Sequence, residues 1–390
     1  MRRRHRAWAR IDLTAFRENL AVARAVAGSA QVWPVLKANA YGHGARRLAL
    51  ACADEGVERI GVGDSSEALE LREAGVRVPL LVLGTVIDAE LPALLRHEIE
   101  VGVHSEGRAR ALGAFAREQN RQLGVHLKID TGMTRLGVLP EAALRVARTI
   151  ADEPGLALRG VMTHFAAREG MRDPSTQEQQ SVFETAVDAI RADGIAVPAV
   201  HGGNSAALFS GLQPLGDAVR PGIALFGILP PQLVSKASLR AVLSLHAQIV
   251  FLKDIPEGQA VGYGGQWVSH QATRLATIPM GYADGIPYRL GSSGRGSVLV
   301  RGRRCPIVGA VSMDYCTLDV GHVPGVEVGD TVTLIGQDGD ESLGAQEVAD
   351  AAGTIPYEIT CSIGARVQRV YHDAVPSPAG DRTRTPLPAP

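Results

Sequence analysis

The sequence predicts a closed (β/α)8 barrel followed by a smaller, mainly β domain. Two observations carry that reading. From about residue 32 to residue 227, short β-branched runs alternate with stretches of helical spacing, the pattern of parallel βαβ units. After about residue 238 the helical stretches give way to short strand-like segments divided by Pro and Gly. Eight strand candidates in the first part fit a barrel, a fold that typically takes about 250 residues. An open doubly wound sheet is the alternative, but no G-x-G-x-x-G follows the first strand.

In chain order, barrel strands are predicted at residues 32–36, 59–63, 78–84, 99–104, 125–130, 158–164, 198–202 and 218–227. Helices are predicted between them at 44–55, 65–74, 105–120, 140–152 and 175–192. Ser65 precedes an acidic first turn, and Asp173-Pro174 precedes a long amphipathic stretch; both are helix-start signals. Strands of the second part are predicted at 243–252, 272–278, 296–300, 304–311, 317–320 and 330–335. The expected domain limits are therefore 12–238 for the barrel and 239–375 for the β domain. Residues 1–11 are expected to pack on the β domain, with PPQLVSKAS as a linker. The Pro-rich end, residues 376–390, reads as a disordered tail.

Composition narrows the function. With 45% hydrophobic and 21% charged residues, the 390-residue chain can build a large core. Forty basic against 41 acidic residues leave a net charge of −1, which argues against a nucleic-acid binder. No apolar run reaches the roughly 18 residues a membrane span needs. The opening MRRRHRAWAR is basic, but no apolar segment follows it, so it does not read as a secretory signal. Cys52, Cys305, Cys316 and Cys361 form no C-x-x-C pair. A reduced, cytoplasmic protein without disulfides or a metal site is expected.

In a barrel the chemistry gathers where the strands end. The first strand ends in Lys37 and runs on as KANAYGHG. A lysine there can be desolvated into a base or nucleophile, although a strand-end lysine alone is more often an ion-pair partner. The fifth strand delivers Lys128 and Asp130, followed by TGMTRLG with Arg135; the sixth ends in His164. The seventh ends in HGGNS with Ser205, and Arg220-Pro221-Gly222-Ile223 lies in the eighth. Small-residue loops after strands seven and eight offer N–H groups and a hydroxyl at the usual phosphate position of such barrels. A mouth lysine and a phosphate cradle in one barrel point to pyridoxal phosphate held as a Schiff base. His43 and His201 read as packing or hydrogen-bonding residues without a catalytic role.

VLKANAYGHG resembles, over all ten residues, the signature around the cofactor lysine of alanine racemases. KIDTGMTRLG, GVMTHFA, HGGNSAA, RPGIALFG, VGYGG, GYADG and SMDY resemble further blocks of that family in the same order. The resemblance covers residues 7 to about 371. It implies a pyridoxal-phosphate enzyme that interconverts L- and D-alanine, supplying D-alanine for peptidoglycan, and acts as a homodimer. It further implies that Lys37 carries the cofactor and serves as base for the D-isomer, with Tyr263 as base for the L-isomer. Tyr41, Ser205, Gly222, Ile223 and Tyr357 would hold the phosphate. Arg220 would meet the pyridine nitrogen, with His164 hydrogen-bonded behind it. Arg135 would support Tyr263 and the cofactor's phenolate oxygen, and Met313 would meet the substrate carboxylate through its N–H. The family can carry a carbamylated lysine at the position of Lys128. Phe226 stands where Tyr is usual, and Tyr315 where Gln is common.

Racemisation needs one base on each face of Cα, which the Lys37 and Tyr263 pair supplies. Free tyrosine titrates near 10, so Tyr263 needs a neighbouring cation, and Arg135 is the proposed source. An arginine at the pyridine nitrogen can only donate a hydrogen bond. It leaves the ring a weaker electron sink than an acidic partner would, which favours racemisation over transamination. A broader amino-acid or serine racemase on the same scaffold is the alternative. A non-catalytic cofactor carrier would lack the β domain with Tyr263, and a related decarboxylase should place an acid where Arg220 stands.

Overall fold

A computed structural model describes residues 5–166, 173–210, 216–229, 233 and 238–373. The expected tail, 376–390, and most of the expected linker lie outside these residues. The first strand, β1 (Ala7–Asp12), leads into helix α1 (Leu13–Ala27), and eight parallel strands follow. They are β2 (Gln31–Val32), β3 (Ile60–Val62), β4 (Leu80–Val82), β5 (Glu100–Val103), β6 (Leu123–Lys128), β7 (Leu156–Met162), β8 (Val200–His201) and β9 (Ala218–Val219). Their hydrogen-bonded order is β2-β9-β8-β7-β6-β5-β4-β3. The two outer strands then meet: Leu36 N–H donates to Gly61 O at 2.8 Å, and Gly61 N–H donates to Pro34 O at 2.9 Å. The sheet closes on itself, leaving no free edge.

The strands are buried on both faces, so they read as unbroken apolar runs rather than alternating ones. Each helix lays a narrow stripe on them. In Pro140–Asp152 the buried residues are Ala143, Val146, Ala147 and Ile150, the spacing of one helical face. Ser105 caps Glu106–Glu118 and Asp173 caps Pro174–Ala192 through side-chain oxygens. The cap of Ser65–Glu73 is Asp64, whose carboxylate accepts from Glu67 N–H at 3.1 Å. Ser65 is therefore the first helical residue rather than the cap.

Two expectations are corrected here. Residues 218–227 are not one strand. Pro221 cannot donate to a ladder, and Ile223–Phe226 forms a 3-10 turn, fully buried on all sides. A short apolar run cannot be assigned by periodicity alone. Helix α1 is absent from the sequence expectation, although Asp12 caps it and Gly28 (φ +66°) ends it.

The second domain holds a seven-stranded sheet and two smaller ones. Its strands are β10 (Leu243–Gln248), β11 (Phe251–Ile255), β12 (Ala260–Val261), β13 (Trp267–Val268), β14 (Thr273–Ile278), β15 (Ser297–Val300), β16 (Arg303–Pro306), β17 (Cys316–Asp319), β18 (Thr331–Asp338), β19 (Glu341–Leu343) and β20 (Gln368–His372). The predicted strand over 243–252 splits at Ile249-Val250, with β10 and β11 in different sheets. Strand β1 lies inside the large sheet, antiparallel to β10 and parallel to β20. The chain thus starts in the second domain's sheet before it winds the barrel. Helices Ala345–Ala352 and Pro356–Cys361 connect this domain to the barrel mouth. No helix among the described residues is long and apolar enough to cross a membrane.

Ile11 is fully buried in β1, opposite Leu243 on one side and Tyr371 on the other. Ile11→Ala should cost about 2–5 kcal/mol of stability. Urea unfolding should show it as a lower midpoint, and an unchanged midpoint would mean that β1 does not hold the sheet together.

Candidate active site

Lys37 follows the bridge that closes the barrel. The next four residues, Ala38, Asn39, Ala40 and Tyr41, all adopt left-handed backbone with φ of 52–53°. Such a conformation costs an L-residue about 1–2 kcal/mol each, so surrounding contacts must impose it. Ala40 N–H donates to Leu36 O at 2.8 Å and Gly42 N–H to Ala38 O at 2.9 Å. Asn39 Oδ1 accepts from Ala45 N–H at 2.8 Å. Glu67 accepts from Gly63 N–H at 2.7 Å and from Asn39 N–H at 3.3 Å. His43, fully buried, holds the carbonyls of Ala40 and Tyr41 through Nδ1 at 3.0 and 2.9 Å. At Gly42 (φ +84°) a Cβ would lie 1.9 Å from Thr360 O, so the helix Pro356–Cys361 sits directly on the turn. The motif KANAYGHG is a clamp that aims Lys37.

The amine of Lys37 is solvent-accessible but largely walled by protein. That desolvation, with the Arg135 charge facing it, lowers its pKa. Lys128, buried at the end of β6, is pushed down to about 8 by burial, then by Arg135 and Arg220. Among the described residues Lys128 makes no ion pair, and Asp130 Oδ1 is engaged by the N–H groups of Gly132 and Thr134. Arg135, exposed on the loop after β6, has no hydrogen bond among the described residues. His164, half-buried after β7, is lowered to about 3 by burial and by the positive field of Arg220, Lys128, Lys37 and Arg135. The mouth thus concentrates four cations and keeps its histidine neutral, a field that draws anions.

Arg220 is buried, and desolvation lowers it to about 10, so it stays charged at neutral pH. Its Nη1 donates to His201 Nδ1 and to His201 O, each at 2.6 Å. Its Nη2 donates to Thr163 O at 2.6 Å and to Gly202 O at 3.4 Å. Among the described residues Nε–H has no acceptor. The group behind Arg220 is therefore His201, not His164, which makes no hydrogen bond to it among the described residues. The sequence assigns His201 no such role; it stands at a strand end, and its own carbonyl and that of Gly202 also bind the arginine.

Beside it, the Ser205 hydroxyl accepts from the N–H groups of Gly222 at 3.0 Å and Ala224 at 3.3 Å. The N–H of Ile223 and the hydroxyl of Tyr41 have no partner among the described residues. Burial and the neighbouring Tyr357 push the Tyr41 pKa well up, so its hydroxyl remains a donor. A Cβ at Gly222 would come within 2.1 Å of that hydroxyl. The glycine keeps open a small space ringed by donors, which suits a phosphate. Tyr357 leans over Tyr41 with ring centroids 6.0 Å apart, and Phe226 lies 5.4 Å away on another side. Phe226 also stacks on His43 at 4.2 Å.

Tyr263 and Met313 lie elsewhere on the chain, in the second domain. Tyr263 is 77% exposed in a turn framed by Gly262, Gly264 and Gly265, all at positive φ. It has no hydrogen bond or ring contact with any described residue. Tyr282, Met313 and Tyr315 are exposed as well. GYADG and SMDY prove to be one structure: Tyr282 N–H donates to Ser312 O at 3.0 Å and Ala283 N–H to Met313 O at 3.1 Å. A Cβ at Gly281 would lie 2.2 Å from Ser312 O. Arg366 pairs with Asp284 at 2.8 and 2.9 Å and with Asp314 at 2.7 Å, tying the two turns together.

Two family models match the chain: alanine racemase N-terminal domain over residues 11–230 and alanine racemase C-terminal domain over residues 242–371. The chain belongs to the alanine racemase family. An alanine racemase of Sorangium cellulosum is 40% identical over 376 residues, covering 94% of this chain and 98% of that protein. Among solved structures, alanine racemase from a D-cycloserine-producing Streptomyces lavendulae matches with a TM-score of 0.90 at 34% identity. That match covers 95% of this chain and 98% of the other. Alanine racemase from Bartonella henselae, with covalently bound pyridoxal phosphate, matches with a TM-score of 0.83 at 29% identity, covering 95% and 100%.

The Lys37 environment is directly testable. In cofactor-free protein, acylation of Lys37 by a small amine reagent, mapped by peptide mass spectrometry over a pH series, should reach half its limiting rate below the pH of a model lysine peptide. Arg135→Gln removes a repelling charge and should move that midpoint upward. A midpoint that ignores Arg135 would separate the two residues.

Proposed function

We propose that the protein interconverts L- and D-alanine on pyridoxal 5'-phosphate, with Lys37 and Tyr263 as the two bases. Membership of the alanine racemase family supports the activity, and the donor set at the mouth fits the cofactor. Lys37 would carry it, Tyr41, Ser205, Gly222, Ile223 and Tyr357 would hold its phosphate, and Arg220 would meet its pyridine nitrogen. Joined to an amino acid through its aldehyde, pyridoxal phosphate withdraws electrons and weakens the Cα–H bond.

The carrying observation is the hydrogen-bond account of Arg220. Both terminal amino groups donate to protein acceptors, which leaves Nε–H for a ligand. A donor at the pyridine nitrogen cannot leave a proton there. With the cofactor bound, such a partner would leave its ring a weak electron sink and favour return of the proton to Cα. Lys37, its pKa lowered by burial and Arg135, holds and returns the proton on one face. Tyr263 would do so on the other face. Met313 would offer its N–H to the substrate carboxylate. The lowered pKa of Lys128 leaves part of the amine neutral near pH 7, the form that adds carbon dioxide. A carbamate there would give Arg135 the anion it lacks.

Among the described residues the Tyr263 side chain has no partner, and it is exposed, as are Tyr282, Met313 and Tyr315 of the same domain. We place it over the mouth of a second copy, so that a two-fold dimer holds two composite sites. Protein loaded with pyridoxal phosphate should racemise alanine, and Lys37→Ala and Tyr263→Phe should each be nearly inactive. In a mixed dimer one site collects both defects and the other neither. Random mixing makes half the dimers mixed, so co-refolding should restore about a quarter of parental activity. Activity that stays at the single-variant level, with mixed dimers verified by mass, would reject the shared site. A parent that racemises no alanine would reject the function.

A further inference from the structure

The hydrogen bonds behind Arg220 do not stop at His201. His201 Nε2 lies 2.8 Å from His126 Nδ1, and His126 Nε2 lies 2.9 Å from Glu100 Oε2. That same oxygen accepts from Arg59 Nε at 2.6 Å, and Oε1 accepts from Arg59 Nη2 at 3.0 Å. The row crosses the barrel from β8 through β6 to β5. Both imidazoles are fully buried. Trp33 walls them in, its ring 4.7 Å from that of His201 and 4.3 Å from the Arg59 guanidinium. On another side stands Gly160, where a Cβ would come within 2.7 Å of His126 Nδ1.

The two ends of the row fix its direction. A guanidinium can only donate and a carboxylate can only accept. His201 Nδ1, facing Arg220 Nη1, must therefore be bare, with the ring proton on Nε2. That proton points at His126 Nδ1, which must be bare in turn, so His126 carries its proton on Nε2 and donates to Glu100. Any imidazolium or reversed ring would set two N–H groups against each other. Burial disfavours the charged form of both rings.

We propose that His126 and Glu100 are positioning residues for Arg220: Glu100 orders the tautomers of His126 and His201 so that a bare Nδ1 always receives the Arg220 Nη1 hydrogen and Nε–H is left for the ring nitrogen. The last clause rests on the function proposed above; the tautomer order does not. Without an acceptor at Glu100, His126 is free to move its proton to Nδ1. His201 must then reverse and present N–H to N–H at Arg220.

The test reads histidine ring nitrogens by 15N NMR in the full protein, free and loaded with pyridoxal phosphate. The His126 and His201 signals are assigned by substituting each. The parent should show both rings as neutral Nε2–H tautomers. Glu100→Ala should mix the tautomers of both rings. In the loaded enzyme it should slow alanine racemisation by about tenfold, the scale typical of lost outer-shell partners, and raise the share of turnovers ending in transamination. Glu100→Gln, whose amide oxygen still accepts, should restore the ring signals and most of the rate. Gly160→Ala, which crowds His126 and leaves Glu100 intact, provides a second disturbance if Glu100→Ala fails to fold, with the same ring signals expected. Nδ1–H on either ring of the parent, parental tautomers surviving in the folded variant, or Glu100→Gln behaving as Glu100→Ala would overturn the proposal. The ring signals need no turnover, so an inactive parent with ordered tautomers would count against the racemase reading alone.

Discussion

A guanidinium buried inside a barrel must place every hydrogen it carries, and Arg220 places four of them on His201, Thr163 and Gly202. Burying an unsatisfied charge is costly, so these acceptors are a condition of having the arginine there at all. They come from the ends of β7 and β8, which pair in the closed sheet. Closure of the barrel, the orientation of HGGNS and the direction of one N–H are in this sense the same constraint. The mouth offers a ligand the Nε–H of Arg220, N–H and hydroxyl donors about Ser205 and Gly222, and the Lys37 amine.

The second domain contributes in two ways. Its helix Pro356–Cys361 rests on the left-handed turn after Lys37, and Gly42 is the residue that lets the two backbones approach. The strain of four left-handed residues is thus held by the motif's own hydrogen bonds together with a tertiary contact, a common arrangement where a side chain must be aimed. Its other contribution is an exposed aromatic face. The turns GYADG and SMDY are bolted together by Arg366, Asp284 and Asp314, which makes Tyr282, Met313 and Tyr315 a rigid surface rather than a set of loose loops.

Much of this was legible in the residues. Alternating apolar runs mark the barrel strands because buried parallel strands need no polar face, and stripes such as Ala143, Val146 and Ile150 mark the helices over them. The run Ile223–Phe226 misleads because burial from all sides hides any period. Helix α1 lies ahead of the alternation and outside its logic, although Asp12 and Gly28 cap it. At the site, Lys37, Ser205 and Arg220 stand at strand ends, where barrel geometry directs attention. His201 stands there too, but its bond to Arg220 depends on the distance between two strands, which no spacing in the chain records. Glu100 and His126 are less legible still, since a strand interior reads as packing. Tyr263 has no described side-chain contact in the structure, so nothing in the strand pattern points to it.

The 15N shift of the pyridine nitrogen in protein loaded with labelled pyridoxal phosphate tests the role of Arg220 most directly. A donor-only partner predicts an unprotonated nitrogen across the neutral range. The signal should carry the upfield displacement of an accepted hydrogen bond and should change when Arg220 is replaced by glutamate. A shift typical of a pyridinium in the parent protein would contradict that role, because a proton on the ring nitrogen leaves the Nε–H of Arg220 nothing to donate to.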